Sequence, residues 1–234
     1  MMRYCISKNR LIVFSVILFT ASFISFAQAQ KLYTTSSGEW IFQSGILEQN
    51  GEKVNTNMRF TLWFHAGEYL HFDLGNYFGL FTGLAIRNVG FITDENEVTT
   101  KYRSYNLGVP LALKLGSFKD KIFVFGGGEY EWMFHFKQKT FNDGVKSKHA
   151  EWFSDRTPSF VPSVFAGLQF PHGIHLKFKY YLHDFLNHTY HGQGNFSDYT
   201  GFTKTQLWYI SLSFQVMNSK LKKTETITEE VAVR

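Results

Sequence analysis

The chain has 234 residues, of which 44% are hydrophobic and 18% aromatic, with 26 Phe, 12 Tyr and a single cysteine, Cys5. One cysteine excludes a disulfide scaffold and a metal site built on several Cys ligands. Lys and Arg number 24 against 19 Asp and Glu; setting aside Arg3, Lys8 and Arg10 at the extreme N-terminus leaves 21 against 19, a net of +2. That balance gives no reason to expect a nucleic-acid partner.

The basic start is followed by an apolar run over 11–26 and by Ala27-Gln28-Ala29, the small-x-small pattern read by a signal peptidase. The pattern predicts an exported chain cleaved near Ala29, with residues 1–29 as signal peptide. An uncleaved anchor helix is the competing reading, although about sixteen apolar residues fall short of the roughly twenty that span a bilayer. Cys5 precedes the apolar run, so it is not placed for lipidation. The expected layout is a polar periplasmic leader at 30–37, a barrel at 38–216 and a disordered periplasmic tail at 217–234.

In chain order, 39–47 alternates weakly, with Trp40, Phe42 and Ile46 available to one face. A polar loop at 48–57 contains Asn50-Gly51. Residues 58–74 then alternate throughout: Phe60, Leu62, Phe64, Ala66, Glu68, Leu70, Phe72 and Leu74 against Arg59, Thr61, Trp63, His65, Gly67, Tyr69, His71 and Asp73. A period of two with one oily and one wet face is a strand between an apolar and a polar medium. Further strands are expected at 78–92, with a bulge at 88–90 where Val89 and Phe91 fall out of phase, and at 101–115, 122–139, 159–170, 174–185 and 206–216. Charges recur on the inward side of several of them, with Glu129, Glu131, His135, Lys137 and Lys139 all expected to face in along 122–139, and a soluble core would not accept that row unpaired.

The connections alternate between short (75–77, 116–120, 171–173) and longer (48–57, 93–100, 141–157, 187–204). Sorting by parity is expected of an up-and-down transmembrane barrel with both termini periplasmic, and not of a Greek-key sandwich. The fold expected is all-β, an eight-stranded antiparallel up-and-down transmembrane β-barrel. A soluble exported barrel around a small apolar ligand is the alternative. Glu68 on the oily face implies a bulge at Gly67, a strand that protrudes beyond the bilayer, or an extra hairpin at 66–68.

The segments Phe78-Gly-Leu-Phe-Thr-Gly-Leu-Ala-Ile-Arg-Asn-Val-Gly90, Tyr105-Asn-Leu-Gly-Val-Pro-Leu-Ala-Leu-Lys114 and Phe125-Gly-Gly-Gly128 resemble the Bacteroidetes-type outer-membrane β-barrel family, often called PorT-like, within the broader OmpA/OmpX-like eight-stranded type. The similarity covers roughly 58–216. It implies assembly by the outer-membrane insertion machinery, a structural, binding or secretion-accessory role, and no catalytic motif. The chain departs from the usual aromatic ending, because Phe214 is followed by a polar tail.

Arg59, Arg87, Lys114, Glu129, Glu131, Lys177 and Lys179 form the expected interior polar network. An eight-stranded barrel is just wide enough to be filled by side chains, so a salt-bridged plug is the first reading and a narrow pore the second. His183, Asp184, His188 and His191, with Ser197 and Asp198 nearby, are rim candidates for a lipid acyl hydrolase or transferase, or for a loop metal site at His188 and His191. No nucleophile elbow, ligand spacing or cofactor motif accompanies them. The partners expected are outer-membrane lipid, the insertion machinery and a periplasmic or envelope protein.

Overall fold

The computed structural model describes residues 31–95, 97–191, 199 and 201–221. The expected signal peptide, most of the expected tail, and Ser197 and Asp198 lie outside them. The strands are β1 (Lys31–Gln49), β2 (Glu52–Val54), β3 (Thr56–Asn57), β4 (Arg59–Thr61), β5 (Ala66–Asp73), β6 (Phe78–Glu95), β7 (Val98–Ser117), β8 (Ile122–Asn142), β9 (Val145–Trp152), β10 (Phe160–Gln169), β11 (Ile174–Asp184) and β12 (Phe202–Leu221). Sequential antiparallel pairing, with β8 joined to β10 and β12 joined to β1, closes them into eight staves. β2 to β5 together make the second stave, and β9 with β10 the sixth.

The stagger follows from the register. Hydrogen-bonded partners lead from Thr34 through Leu70, Thr82, Leu111, Gly128, Val164, Tyr180 and Trp208 back to β1 at Ser44, ten residues farther along. Ten residues of ~3.3 Å over eight spacings of ~4.7 Å correspond to a tilt of about 40°. Side chains then alternate as the sequence pattern requires, except beyond Phe134, an extra residue of β8 opposite Tyr105 and Asn106 that reverses the phase: His135, Lys137 and Lys139, expected inside, turn outward, and Phe136 is buried within. Leu111, Leu113, Leu115, Val124, Leu176, Phe178 and Ile210 are exposed on the outside, whereas Lys114, Glu131, Lys179 and Arg87 are at most 1% exposed within. The outward face is apolar where that of a soluble barrel would be polar, while the interior holds buried charges together with apolar clusters.

Several boundaries differ from the sequence reading. β1 begins at Lys31, so the expected leader is the foot of the first stave. Its polar composition hides it, but its backbone is paired with β5 on one side and β12 on the other. β12 likewise continues past Val216 to Leu221. The longer connections are mostly protruding hairpins rather than loops: Asn50-Gly51 (φ 51° and 84°) joins β1 to β2, and Asp143-Gly144 (φ 45° and 76°) joins β8 to β9. Asn-Gly and Asp-Gly are the pairs that adopt positive φ cheaply enough for two-residue hairpin turns.

The expected strand at 58–74 is interrupted at 62–65, where Phe64 has φ 69°. Opposite β1, these four residues span the place of only Glu39 and Trp40. The excess is even, so Arg59 and His65 both keep their buried side, while Trp63 turns outward at 77% exposure. β6 loses its partner backbone there, and side chains replace it. Gly90 N–H donates to Gln43 (2.8 Å), and Asn88 N–H to His65 Nδ1 (3.2 Å). The expected bulge at 88–90 is absent from the β6–β7 register, and Val89 and Phe91 are fully buried inside. Glu68 pairs in register with Ser36 and Leu84 and faces outward, with neither a bulge at Gly67 nor a hairpin at 66–68. Its carboxylate is satisfied laterally by Ser36 Oγ and by Asn218 Nδ2 at 3.0 Å.

Candidate functional site: the charged belt inside the barrel

The interior is layered. Near the short-turn end, Tyr69, Phe81, Ala85, Ala112, Phe123, Phe125 and Phe165 form an apolar plug; toward the hairpin end a larger cluster includes Val89, Phe91, Tyr102, Phe136 and Leu207. Between them lies a belt of three cations and three carboxylates, drawn from β1, β6, β8 and β11. Arg87 meets Glu39 at 2.9 Å, Glu131 at 3.7 Å, and Glu129. Lys177 meets Glu39 at 2.6 Å; Lys179 meets Glu129 at 2.7 Å, and Glu131. The belt is neutral in formal charge.

Hydroxyls and an amide complete the coordination. Arg87 donates to Tyr69 Oη (3.2 Å), Tyr181 Oη donates to Glu131 (3.0 Å), and Asn106 Nδ2 donates to Glu131 (2.7 Å). Removing six charges from water is expensive, and it is tolerated when opposite charges are adjacent and the remaining lone pairs are bonded. The cavity bordered by Arg87, Glu129, His175, Lys177 and Ser213 is about 20 Å³, room for about one water.

A second, smaller site lies nearer the short turns. Lys114 Nζ donates to Asp73 (2.6 Å), Tyr33 Oη (3.2 Å) and His71 Nδ1 (3.2 Å), and His71 Nε2 lies 3.0 Å from Thr35 Oγ1. An ammonium can only donate, so His71 Nδ1 accepts from Lys114 and its Nε2–H donates to Thr35 Oγ1.

Of the seven residues expected in the network, Arg87, Glu129, Glu131, Lys177 and Lys179 are brought together. Lys114 belongs to the separate site with Asp73. Arg59 joins neither; its guanidinium donates to Asn88 Oδ1 at 2.8 Å. Glu39 is the member the sequence reading missed. Its signal was its parity with Ile41 and Gln43, opposite to Trp40 and Phe42, in a segment whose polar foot obscured the alternation.

Of the rim candidates, Asp184 and His188 meet at the buried Thr205, and His183 and His191 stand apart. His183 is exposed, and its Nδ1 lies 3.4 Å from the Asp184 carbonyl. Asp184 accepts the Thr205 backbone N–H (2.6 Å), and His188 Nε2 lies 3.2 Å from Thr205 Oγ1. His191 is exposed. Among the described residues no group of three His, Cys, Asp or Glu side chains is arranged to hold a metal. Among the described residues no helix is long and apolar enough to cross a membrane, which has no bearing on a β-barrel.

No protein-family model matches the chain, and no curated protein matches it. Among solved structures it is similar to Ail, the attachment invasion locus protein of Yersinia pestis, in complex with the heparin analogue sucrose octasulfate. That similarity is at 13% identity over 80% of this chain and 99% of that one, with a TM-score of 0.37. Neisserial surface protein A matches at 8% identity over 79% and 96%, TM-score 0.39, and the outer-membrane protein OprG of Pseudomonas aeruginosa at 9% over 82% and 98%, TM-score 0.37. Similarity this low carries no argument about what this chain does.

Proposed function

We propose that the protein is an integral outer-membrane β-barrel with a closed interior and a structural, binding or secretion-accessory role, as its PorT-like segments imply. Both termini would lie in the periplasm, at the end with the short turns, and residues 1–29 would be removed on export. The observation that carries this reading is the inversion of the barrel: an apolar exterior around a neutral belt of six buried charges. Lipid satisfies the first, and only a membrane or a protein coat would. The cavity of about 20 Å³ beside the belt favours a plug over a pore.

Envelope fractionation tests the location. The protein is expected to resist carbonate and salt, to require detergent, and to migrate differently on a denaturing gel before and after boiling; release by carbonate overturns the reading. Reconstituted in planar bilayers, it is expected to give no stable conductance steps.

A non-enzymatic role is supported by the burial of Thr205, the hydroxyl that His188 meets, which is 0% exposed and out of reach of a lipid substrate. Unchanged lipid A and phospholipid profiles in a strain lacking the gene are expected. Altered acyl content would favour a lipid-modifying enzyme.

A further inference from the structure

Every cation of the interior belt has a carboxylate partner, but another set of cations has none. Lys101, Arg103, Lys137, Lys139, Lys146 and Lys148 lie on the outer face of β7, β8 and β9, at the hairpin end. Lys101 stands directly opposite Lys139, which stands opposite Lys148, and Arg103 stands opposite Lys137. Like charges facing one another across strands destabilise a sheet. Among the described residues none of the six makes an ion pair, and Arg103 Nε is buried without a partner. Of the carboxylates flanking the patch, Asp94 is bonded by Asn57, and Glu151 turns to the opposite face toward Ser154 and Arg156. The Lys139 ammonium is pushed below its ordinary range by Arg103, by partial burial and by Lys146, Lys148 and Lys137.

Aromatic rings organise the patch. Lys101 and Lys146 sit 5.2 and 5.6 Å from the Phe141 ring, and Lys137 sits 5.1 Å from the Tyr105 ring. Below it runs a girdle. His135 stacks on Trp152 at 4.2 Å, and Phe64 meets Tyr105 edge-on at 5.7 Å, with Phe134 at 5.8 Å from Trp152. Such belts mark the level of lipid head groups. On β7 the last aliphatic outward residue is Leu107, and Arg103 is four residues beyond it, about 10 Å higher along the tilted stave.

We propose that this patch binds the phosphate groups of the surrounding outer-leaflet lipid. The site rests on the membrane reading above and specifies what the outside of the barrel recognises. A laterally directed set of cations at head-group height meets lipid, whereas a soluble anion would be met by the hairpin tips. Lipid phosphates supply the missing counter-charge, and the rings behind Lys101, Lys137 and Lys146 hold those ammonium groups in place.

The full chain, purified folded in detergent, can be tested against lipid A carrying two, one or no phosphates, with bound lipid counted by native mass spectrometry. Retention is expected to rise with phosphate number and to fall with added salt. The variant Lys101→Gln/Arg103→Gln/Lys137→Gln/Lys139→Gln is expected to lose about tenfold or more in affinity, whereas Lys119→Gln/Lys121→Gln at the short-turn end is not. Equal retention of dephosphorylated lipid A, or an unaffected quadruple variant, overturns the proposal. So does preferential binding of inorganic phosphate or a sulfated glycan that lipid A does not displace. These outcomes in a barrel that still shows heat-modifiable mobility count against the patch alone; loss of that mobility in the parent chain counts against the membrane reading.

Discussion

Replacing Arg87 by Met keeps most of the side-chain bulk and removes its charge, leaving Glu39, Glu129 and Glu131 with only Lys177 and Lys179. The Arg87 side chain is 1% exposed and touches all three carboxylates. With room for about one water beside it, solvent cannot stand in for the lost cation. Breaking a buried ion pair by deleting one partner costs about 3–5 kcal/mol. A second change, Glu129→Gln, restores two cations to two carboxylates. It is expected to recover at least about 2 kcal/mol, because most of the single-variant cost is an uncompensated charge rather than a lost contact. Equilibrium urea unfolding of the barrel in lipid or detergent, followed by tryptophan fluorescence and by the heat-modifiable band, measures both. An Arg87→Met protein as stable as the parent, or a double variant no more stable than the single, refutes charge balance as what holds the belt.

Glu68→Leu removes a carboxylate from the outward face together with its bonds to Ser36 and Asn218, so stability is expected to change by less than about 2 kcal/mol, while Ser36→Ala with Glu68 retained should cost about 1 kcal/mol; a Ser36→Ala protein as stable as the parent in the same urea assay contradicts the lateral-satisfaction account. A Cβ on Gly108 would stand 1.9 Å from Glu129 Oε1, whereas one on Gly38 meets nothing within 4 Å. Gly108→Ala is therefore expected to lose about 1–3 kcal/mol and Gly38→Ala less than about 0.5 kcal/mol. At the rim, the Ser154 hydroxyl, against the effect of burial and with help from His149 and Arg156, holds the Glu151 carboxyl below its ordinary range. A depressed carboxyl contributes stability above its unfolded-state pKa and loses it as pH falls through the folded value. Acidification below about pH 4 should then raise proteolysis around 153–159, by an amount limited to a few tenths of a kcal/mol because the side chain is 45% exposed. Glu151→Gln should abolish that pH dependence.

The sequence by itself determined which side of most staves is wet, the exception being β8 beyond its bulge at Phe134, where the phase reverses. Side-chain direction has period two whatever the partner strand, so the oily set of 107, 109, 111, 113 and 115 and the charged set of 129, 131, 177 and 179 are local facts. The parity of short connections at one end was legible for the same reason. What the tertiary structure decided is everything that depends on stagger. The ten-residue offset around the ring puts Glu39 beside Arg87 and Lys177, separates Lys114 to a site with Asp73 and His71, and sends Arg59 to Asn88. It also places Ser36 and Asn218 where Glu68 needs them. Which charges meet is set by the heights of residues on different staves, and no alternation within one strand encodes the height of its neighbour. The cations at 101, 103, 137, 139, 146 and 148 belong to this second kind. Along the chain Lys137 and Lys139 read as inward charges in phase with Glu129 and Glu131, and only the bulge in β8 and the register of three hairpin-linked strands turn them outward and make the six one surface.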